Sequence, residues 1–253
     1  MRAIVAKSHH NATASDAAAV RTSRDAPAIE VFGGIALNSH VGGFNADAVN
    51  VALALGARIV WLPTISSPLH IAHAAHIAFP TASVRMRPDS PVDVWTKNGR
   101  LRRAVKEVLR EVAAADAILA SGHLSPAAIL ATFEEARDLG VRRLLVNHPN
   151  FLVNASQAEV RKLVELGAYV EHATCHYDER SKYMSFPVSE LVDWIRAVGP
   201  ERSVIASDLG QANNPLPTES LVHVIGALRR LGMTEREIRM MTVANPSHLL
   251  ALD

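Results

Sequence analysis

Disulfides and strong charge are both missing from this sequence. Cys175 is the single cysteine among 253 residues, which excludes an intrachain disulfide and is typical of a reducing compartment. The 26 Lys and Arg residues balance 25 Asp and Glu, and the formal net charge is +1. A nearly neutral chain gives no electrostatic basis for binding nucleic acid or an anionic membrane surface.

Long apolar runs and a leader segment are missing as well. No run approaches the ~18 apolar residues of a membrane-spanning helix. A short strand-like run follows directly after Met1, without the basic, apolar and cleavable regions of a signal peptide. We therefore expect a cytoplasmic protein that binds neither nucleic acid nor a membrane.

Aromatic residues are scarce, at 3 Trp, 3 Tyr and 6 Phe, whereas histidine is abundant at 12. Because imidazole binds metals and transfers protons near neutral pH, this abundance is a hint of metal or acid–base chemistry.

Short apolar runs alternate with amphipathic segments about seven times along the chain. Residues 101–115, for example, have apolar side chains at 101, 105, 108, 109 and 112, a spacing near 3.6 that predicts a helix. Such alternation predicts a parallel sheet covered by helices on both faces. We predict the α/β class, as a single TIM-like (β/α) barrel domain over residues 1–253 with about seven recognisable strand–helix units. A doubly wound open sheet is the alternative, but it concentrates its site at one switch point, whereas polar residues here end almost every strand.

Residues 64–100 interrupt the alternation, because they are too long for an ordinary connection. We predict a rim insertion that acts as a lid, with a helix at 69–78, a hairpin formed by 83–87 and 92–95, and a turn at Asn98-Gly99. His70, His73 and His76 are spaced by three on that helix. We interpret them as incidental lid residues rather than a second metal site, because no carboxylate lies within the run.

Three metal-capable side chains stand where apolar runs end. His123 follows the run at 117–120, and Ser125-Pro126 then begins a helix as N-cap and first helical residue. His148 follows the run at 144–146, and Asp208 follows the run at 204–206. In a parallel barrel the C-terminal strand ends carry the chemistry, so we expect these side chains on one face.

Several segments give the chain a resemblance to a known family. They are Val-Ala-Lys-Ser-His-His at 5–10, Ile-Ala-Leu-Asn at 35–38, Val-Gly-Gly at 41–43, Ser-Gly-His-Leu-Ser at 121–125, Asn-His-Pro at 147–149, Ser-Asp-Leu-Gly-Gln at 207–211 and Asn-Pro at 245–246. In this order and at these strand ends, they resemble the amidohydrolase superfamily of metal-dependent barrel enzymes, and most of all an uncharacterised amidohydrolase-like group. The resemblance covers nearly the whole chain except the insertion.

The resemblance implies roles for three residues. His123 and His148 would bind a divalent metal, and Asp208 would bind the metal and move the proton. Zinc suits such a mixed set of imidazole and carboxylate ligands best, with manganese or iron as alternatives. Each residue also has an interpretation without metal. His123 would be a hydrogen-bonded residue at a strand end, His148 would belong to a turn before Pro149, and Asp208 would form an Asx-turn.

The sequence departs from the superfamily at its first motif. The superfamily opens with a His-x-His pair on its first strand, and no His-x-His occurs in this chain. We expect that the family's first strand and helix are missing here. Either the assigned start lies downstream of them, or the protein is a seven-stranded variant in which His9 or His10 substitutes. A missing strand would expose a parallel edge, so we also expect a homo-oligomer whose subunit contact covers it.

Other polar residues at strand ends are weaker candidates. Glu171 joins His9 and His10 as a further candidate metal ligand, although an ion pair with Lys182 or Arg180 explains it equally well. The candidate substrate contacts are Lys7, Asn38, His40, Asn147 and Gln211.

These observations favour a metal-dependent hydrolase in which a metal-bound water attacks a small amide, lactone or ester. A metal-dependent decarboxylase, which is a lyase, on the same fold is the first alternative. A non-catalytic ligand-binding barrel is the second, favoured by the absent His-x-His.

Overall fold

The computed structural model describes residues 2–26, 28–74 and 85–252. The described strands are β1 (Ala3–Val5), β2 (Glu30–Phe32), β3 (Gly34–Ala36), β4 (Ile59–Trp61), β5 (Ile118–Ala120), β6 (Arg143–Asn147), β7 (Tyr169–Ala173) and β8 (Ser203–Ala206). The described α-helices are α1 (Ala14–Thr22), α2 (Ala46–Ala54), α3 (Pro68–His73), α4 (Arg103–Ala114), α5 (Pro126–Asp138), α6 (Gln157–Glu165), α7 (Val188–Val198), α8 (Pro217–Arg230), α9 (Glu235–Arg239) and α10 (Asn245–Leu250).

The chain forms two compact units. Unit 1 comprises Met1–Ala72 and Arg87–Leu145, and unit 2 comprises His73–Met86 and Val146–Asp253. In unit 1, β1 pairs with β2, and β3, β4, β5 and β6 are parallel neighbours in chain order. In unit 2, β7 pairs in parallel with β8. The predicted α/β class is confirmed, with parallel strands and helices in the alternating order of a TIM-like (β/α) barrel.

The apolar run at residues 30–37 does not form one continuous strand, because β2 ends before Gly33 and β3 begins after it. A Cβ at Gly33 would lie 2.4 Å from the Thr13 carbonyl oxygen, and one at Gly34 would lie 2.5 Å from the Trp61 ring. Neighbouring atoms therefore approach both glycines closely, and the approach of Thr13 coincides with the break in the strand.

Several helices begin at a polar N-cap residue whose side chain accepts a backbone N–H of the first turn. The Asn45 side chain accepts the backbone N–H of Ala48 at the start of α2, and Ser125 does the same for Ala128 at the start of α5. Ser156 and Glu159 form a reciprocal capping box at α6. These bonds satisfy backbone donors that have no partner within the helix.

In the insertion, α3 covers the first part of the helix predicted at 69–78, whose last residues, 75–78, lie outside the described part of the chain. The predicted turn at Asn98-Gly99 is present, and it connects Trp95 to Leu101, which form an isolated antiparallel bridge. His76 and the first strand of the predicted hairpin at 83–87 fall wholly or partly outside the described residues. Near the C terminus, α9 is followed by one π-helical turn, Met240–Ala244, that leads into α10.

Both units have an apolar core. In unit 2, α7, α8 and α9 pack their apolar sides together around buried side chains that include Leu191, Ile195, Val224 and Leu228. Among the described residues, no helix combines the length and the apolar character needed to cross a membrane.

Candidate metal centre

Three side chains of unit 2 converge just beyond the ends of strands. His148 follows β6, His176 closes a short 3-10 helix, Thr174–His176, that follows β7, and Asp208 follows β8. One ligand atom from each of the three lies within 4.8 Å of the other two. Both histidines are buried and Asp208 is half-buried. Two imidazoles and one carboxylate in this arrangement suit a zinc-like divalent ion.

The backbone at two of these residues is unusual. His148 has a φ of +20° and Asp208 a φ of +49°. L-residues rarely adopt positive φ, and such residues cluster at functional sites, where the surrounding structure holds them in place. The conformation at Asp208 is one that Asp and Asn tolerate better than other residues.

A backbone carbonyl orients His176. The Nδ1 atom of His176 lies 3.1 Å from the Tyr183 carbonyl oxygen, which can only accept a hydrogen bond. Nδ1 therefore carries the proton, and the lone pair of the ring lies on Nε2, as a metal ligand requires. The Phe151 ring stacks on His176 with centroids 4.0 Å apart and forms an apolar wall beside it.

His176 is not among the site residues predicted from the sequence. β7 continues past Glu171 to Ala173, and the 3-10 helix that follows it carries His176 beyond the end of the strand. One feature of the sequence does point to His176: it is a metal-capable residue that lies between His148 and Asp208 along the chain.

Glu171 supports the end of β6. Its carboxylate accepts a hydrogen bond from Asn147 Nδ2 at 3.1 Å, and its backbone carbonyl accepts the N–H of His148 at 2.9 Å. Arg180, which with Lys182 was a predicted ion-pair partner of Glu171, pairs with Asp178. Glu171 therefore holds the loop that carries His148.

Two other polar residues of unit 2 have structural contacts. Gln211, a predicted substrate contact, donates from Nε2 to the Asp208 carbonyl oxygen at 3.3 Å. His172 is buried, its Nε2 lies 3.3 Å from Ser203 Oγ, and burial lowers its pKa to about 4. His172 is therefore a neutral core histidine at pH 7.

His123 lies in unit 1 in contact with a second histidine. It is buried at the end of β5, and its Nδ1 atom lies 2.9 Å from Nδ1 of His70, also buried, on α3. Burial lowers the pKa of His70 to about 4. Gly122 makes this end of β5 possible, because it has a φ of +57° and a Cβ there would lie 2.2 Å from the Leu62 carbonyl oxygen.

The other candidates of unit 1 lie beside this pair. His9 contacts Thr64 Oγ1 through Nδ1 at 2.8 Å, and its ring centroid lies 6.4 Å from that of His123. Asn38 is buried, donates to Thr64 Oγ1 at 2.7 Å and accepts the backbone N–H of Thr64. It therefore positions the end of β4. The Lys7 amine lies 5.6 Å from the Trp61 ring centroid.

His10 and His40 form a further contact in unit 1. Their ring centroids are 4.8 Å apart, and His40 Nδ1 lies 3.5 Å from a carboxylate oxygen of Asp89. Burial, together with the nearby His40, lowers the pKa of His10. Asp89 also accepts a hydrogen bond from Ser66 Oγ at 2.6 Å, which joins two segments of the insertion.

Two groups of three metal-capable residues occur in the part of the chain that the structure describes. The first is the cluster of His148, His176 and Asp208, and the second comprises Asp178, Glu179 and His223. Ion pairs account for the second group, since Arg180 holds Asp178 and His223 lies 2.9 Å from Glu179. His9, His10, His123 and Glu171 belong to neither group of three.

Comparisons with known proteins place the chain in a family. A family model described as "Family of unknown function (DUF6282)" matches residues 1–171. No curated protein matches the sequence.

Solved structures show a distant likeness. A phosphotriesterase homology protein from Escherichia coli is 16% identical, with 81% of this chain and 88% of that chain covered and a TM-score of 0.47. An organophosphorus hydrolase from Deinococcus radiodurans is 15% identical, with 82% of this chain and 63% of that chain covered and a TM-score of 0.48. This chain thus spans less than two thirds of the Deinococcus enzyme, and likeness at this level assigns no activity.

Proposed function

Because the chain belongs to a family of unknown function (DUF6282), we propose its activity from its own residues: it is a metal-dependent hydrolase of a small amide, lactone or ester. The observation that carries the proposal is the convergence of His148, His176 and Asp208, whose ligand atoms lie within 4.8 Å of one another. The resemblance to the amidohydrolase superfamily, in which a histidine and an aspartate at strand ends bind metal, supports it.

The residues fit a zinc ion, with manganese or iron as alternatives. The cluster combines imidazole and carboxylate donors, and the Tyr183 carbonyl fixes the His176 lone pair on Nε2. His148 and His176 would hold the ion, together with Asp208. A divalent ion bound there would supply an acidified water at neutral pH.

Asp208 has a second role in this proposal. Its carboxylate accepts the proton released when water attacks the substrate and passes that proton to the leaving group. Half-burial keeps it accessible to a small molecule, and Phe151 beside His176 excludes water from one side.

His123 remains a proposed ligand because of the resemblance. Its Nδ1 faces His70, so Nε2 is the atom that would bind a metal. His9, His10 and Glu171 remain further candidate ligands, and Lys7, Asn38, His40, Asn147 and Gln211 remain candidate substrate contacts.

The test is metal content and hydrolysis measured on the same preparations. We expect about one zinc ion per chain by elemental analysis, and a large loss of binding in His176→Ala. Asp208→Asn should lower hydrolysis of p-nitrophenyl acetate or a small lactone by about a hundredfold or more. His223→Ala is the matched control, because it removes a histidine from the other group of three. Metal binding or hydrolysis that survives His176→Ala and Asp208→Asn would overturn the proposal.

Product analysis in ¹⁸O-labelled water separates the hydrolase from the alternative lyase. Incorporation of ¹⁸O into the product supports hydrolysis, whereas release of CO₂ without incorporation supports decarboxylation. Protein that binds no metal and retains normal thermal stability supports the ligand-binding alternative.

We further propose a cytoplasmic homo-oligomer that acts on a small molecule. Light scattering tests the assembly, and a monomer at all concentrations would contradict it.

A further inference from the structure

His70 and His123 face each other through the same ring atom. Their Nδ1 atoms are 2.9 Å apart, the ring centroids are 5.0 Å apart, and the ring planes differ by 11°. Nearly parallel rings at this separation place the two Nδ1 atoms between the ring centres, as an in-plane N–H···N hydrogen bond requires. The two residues are 53 positions apart in sequence.

Ser67 fixes the two residues relative to each other. Its hydroxyl donates to the His123 carbonyl oxygen at 2.8 Å and accepts the backbone N–H of His70 at 3.0 Å. The start of α3 is thus bound to the end of β5 at the backbone as well as at the rings. Both histidines are at most 4% exposed, so little solvent competes for the bond.

A hydrogen bond between two Nδ1 atoms contains one proton. One ring must donate and the other must accept, and two neutral rings joined in this way are therefore opposite tautomers. The donor ring has its lone pair on Nε2, and the acceptor ring has its proton there.

We propose that His70 is the positioning residue of His123: it accepts the Nδ1–H of His123 and so fixes the His123 lone pair on Nε2. The usual acceptors behind a metal-binding histidine are a carboxylate, a backbone carbonyl or a water, and here a second imidazole takes that place. A cation at Nε2 of His123 makes Nδ1–H a stronger donor, which favours this direction of the bond.

The hydrogen bond belongs to the folded chain itself, whereas its direction and its functional consequence rest on the proposed metal-dependent activity. In the proposed enzyme, His70 positions His123, a role that the spacing of His70, His73 and His76 in the sequence did not indicate. It is the contact through which α3 of the insertion sets the ligand geometry at the end of β5.

Long-range ¹H–¹⁵N spectra of the histidine rings test the proposal on metal-free protein. In the wild type we expect His123 protonated on Nδ1 and His70 protonated on Nε2. His70→Phe keeps an aromatic ring but removes the acceptor, so His123 should shift towards the Nε2-protonated form. His70→Asn places an amide oxygen near the former Nδ1 and should restore the wild-type tautomer. His73→Asn, an exposed change on the same helix, should alter neither ring.

Zinc titration supplies the second measurement. The loss of zinc affinity in His123→Ala measures the contribution of His123 to binding. That contribution should fall about tenfold to a hundredfold in His70→Phe and recover in His70→Asn. An Nε2-protonated His123 in the wild type, or an unchanged tautomer in His70→Phe, would overturn the proposal. If His70→Phe does not fold, the wild-type and His70→Asn spectra decide the tautomer. If no chain binds zinc, the metal proposal fails while the spectra still decide the role of His70.

Discussion

Asp208 and His172 show how the surroundings of one side chain set its chemistry. Asp208 has a positive φ, which Asn tolerates better than Ala, so Asp208→Asn changes the carboxylate while Asp208→Ala also adds backbone strain. His172, by contrast, is enclosed in the core beside Ser203, and its Nδ1 has no hydrogen-bond partner among the described residues. The first is suited to proton transfer, and the second is neutral at pH 7.

Acid should destabilise the protein through His172. The unfolded chain binds a proton at this residue near pH 6.5, whereas burial lowers the pKa in the folded state to about 4. Between these values the unfolded state binds more protons, so the free energy of unfolding should fall as the pH drops from about 6.5 to about 4. The loss per histidine is at most about 3 kcal/mol.

Urea unfolding of His172→Leu at several pH values measures this contribution. The variant should have a shallower loss of stability below pH 6.5, and Ser203 keeps a partner because its hydroxyl also donates to the Gly199 carbonyl. His70, whose pKa burial also lowers to about 4, should supply a remaining part of the slope. The exposed change His73→Leu serves as control, and equal slopes in the wild type and His172→Leu would contradict the prediction.

At the scale of secondary-structure elements, glycine is needed for stability between two strands but lowers the stability of a helix. Gly33 separates β2 from β3 because Thr13 occupies the space that a side chain would need. Gly226 lies inside α8, and a Cβ there meets only Arg230 Nη1, at 3.6 Å. The same residue type is therefore required at one position and weakens the other.

Matched alanine substitutions test this contrast. Gly33→Ala should destabilise the protein by at least about 2 kcal/mol, because backbone atoms must move to admit the methyl group. Gly226→Ala should stabilise it by about 0.5–1 kcal/mol, because alanine is the better helix former. Thermal unfolding of both variants measures the two shifts, and a neutral Gly33→Ala would show that Thr13 can move at little cost.

At the scale of the whole molecule, ligand binding and folding are linked. The cluster of His148, His176 and Asp208 comes from the ends of three successive strands and exists only in the folded chain. An ion that binds this cluster, and binds the unfolded chain less well, must stabilise the native state.

Zinc should therefore raise the stability of the wild type. At a free concentration one hundred times Kd, the gain is about 2.7 kcal/mol. His176→Ala should lose most of this gain, and His223→Ala should keep it. Calorimetry with and without zinc checks both variants, and an equal gain in His176→Ala would place the ion elsewhere.

The sequence by itself determined the local structure of this protein. Apolar periodicity predicts the α/β class, and Asn45 and Ser125 start helices where their capping chemistry indicates. The order of strand ends also indicated His148 and Asp208 as neighbours in function. These features depend on residues a few positions apart, so their physical cause is present in the chain before it folds.

Only the tertiary structure decided the partners of the site residues. His176 reaches the cluster because β7 continues into a 3-10 helix, and His70 meets His123 across 53 positions of sequence. Gly33 must lack a side chain because a distant backbone segment, at Thr13, approaches it. Such contacts arise from packing between segments that are remote along the chain, and no local pattern contains that information.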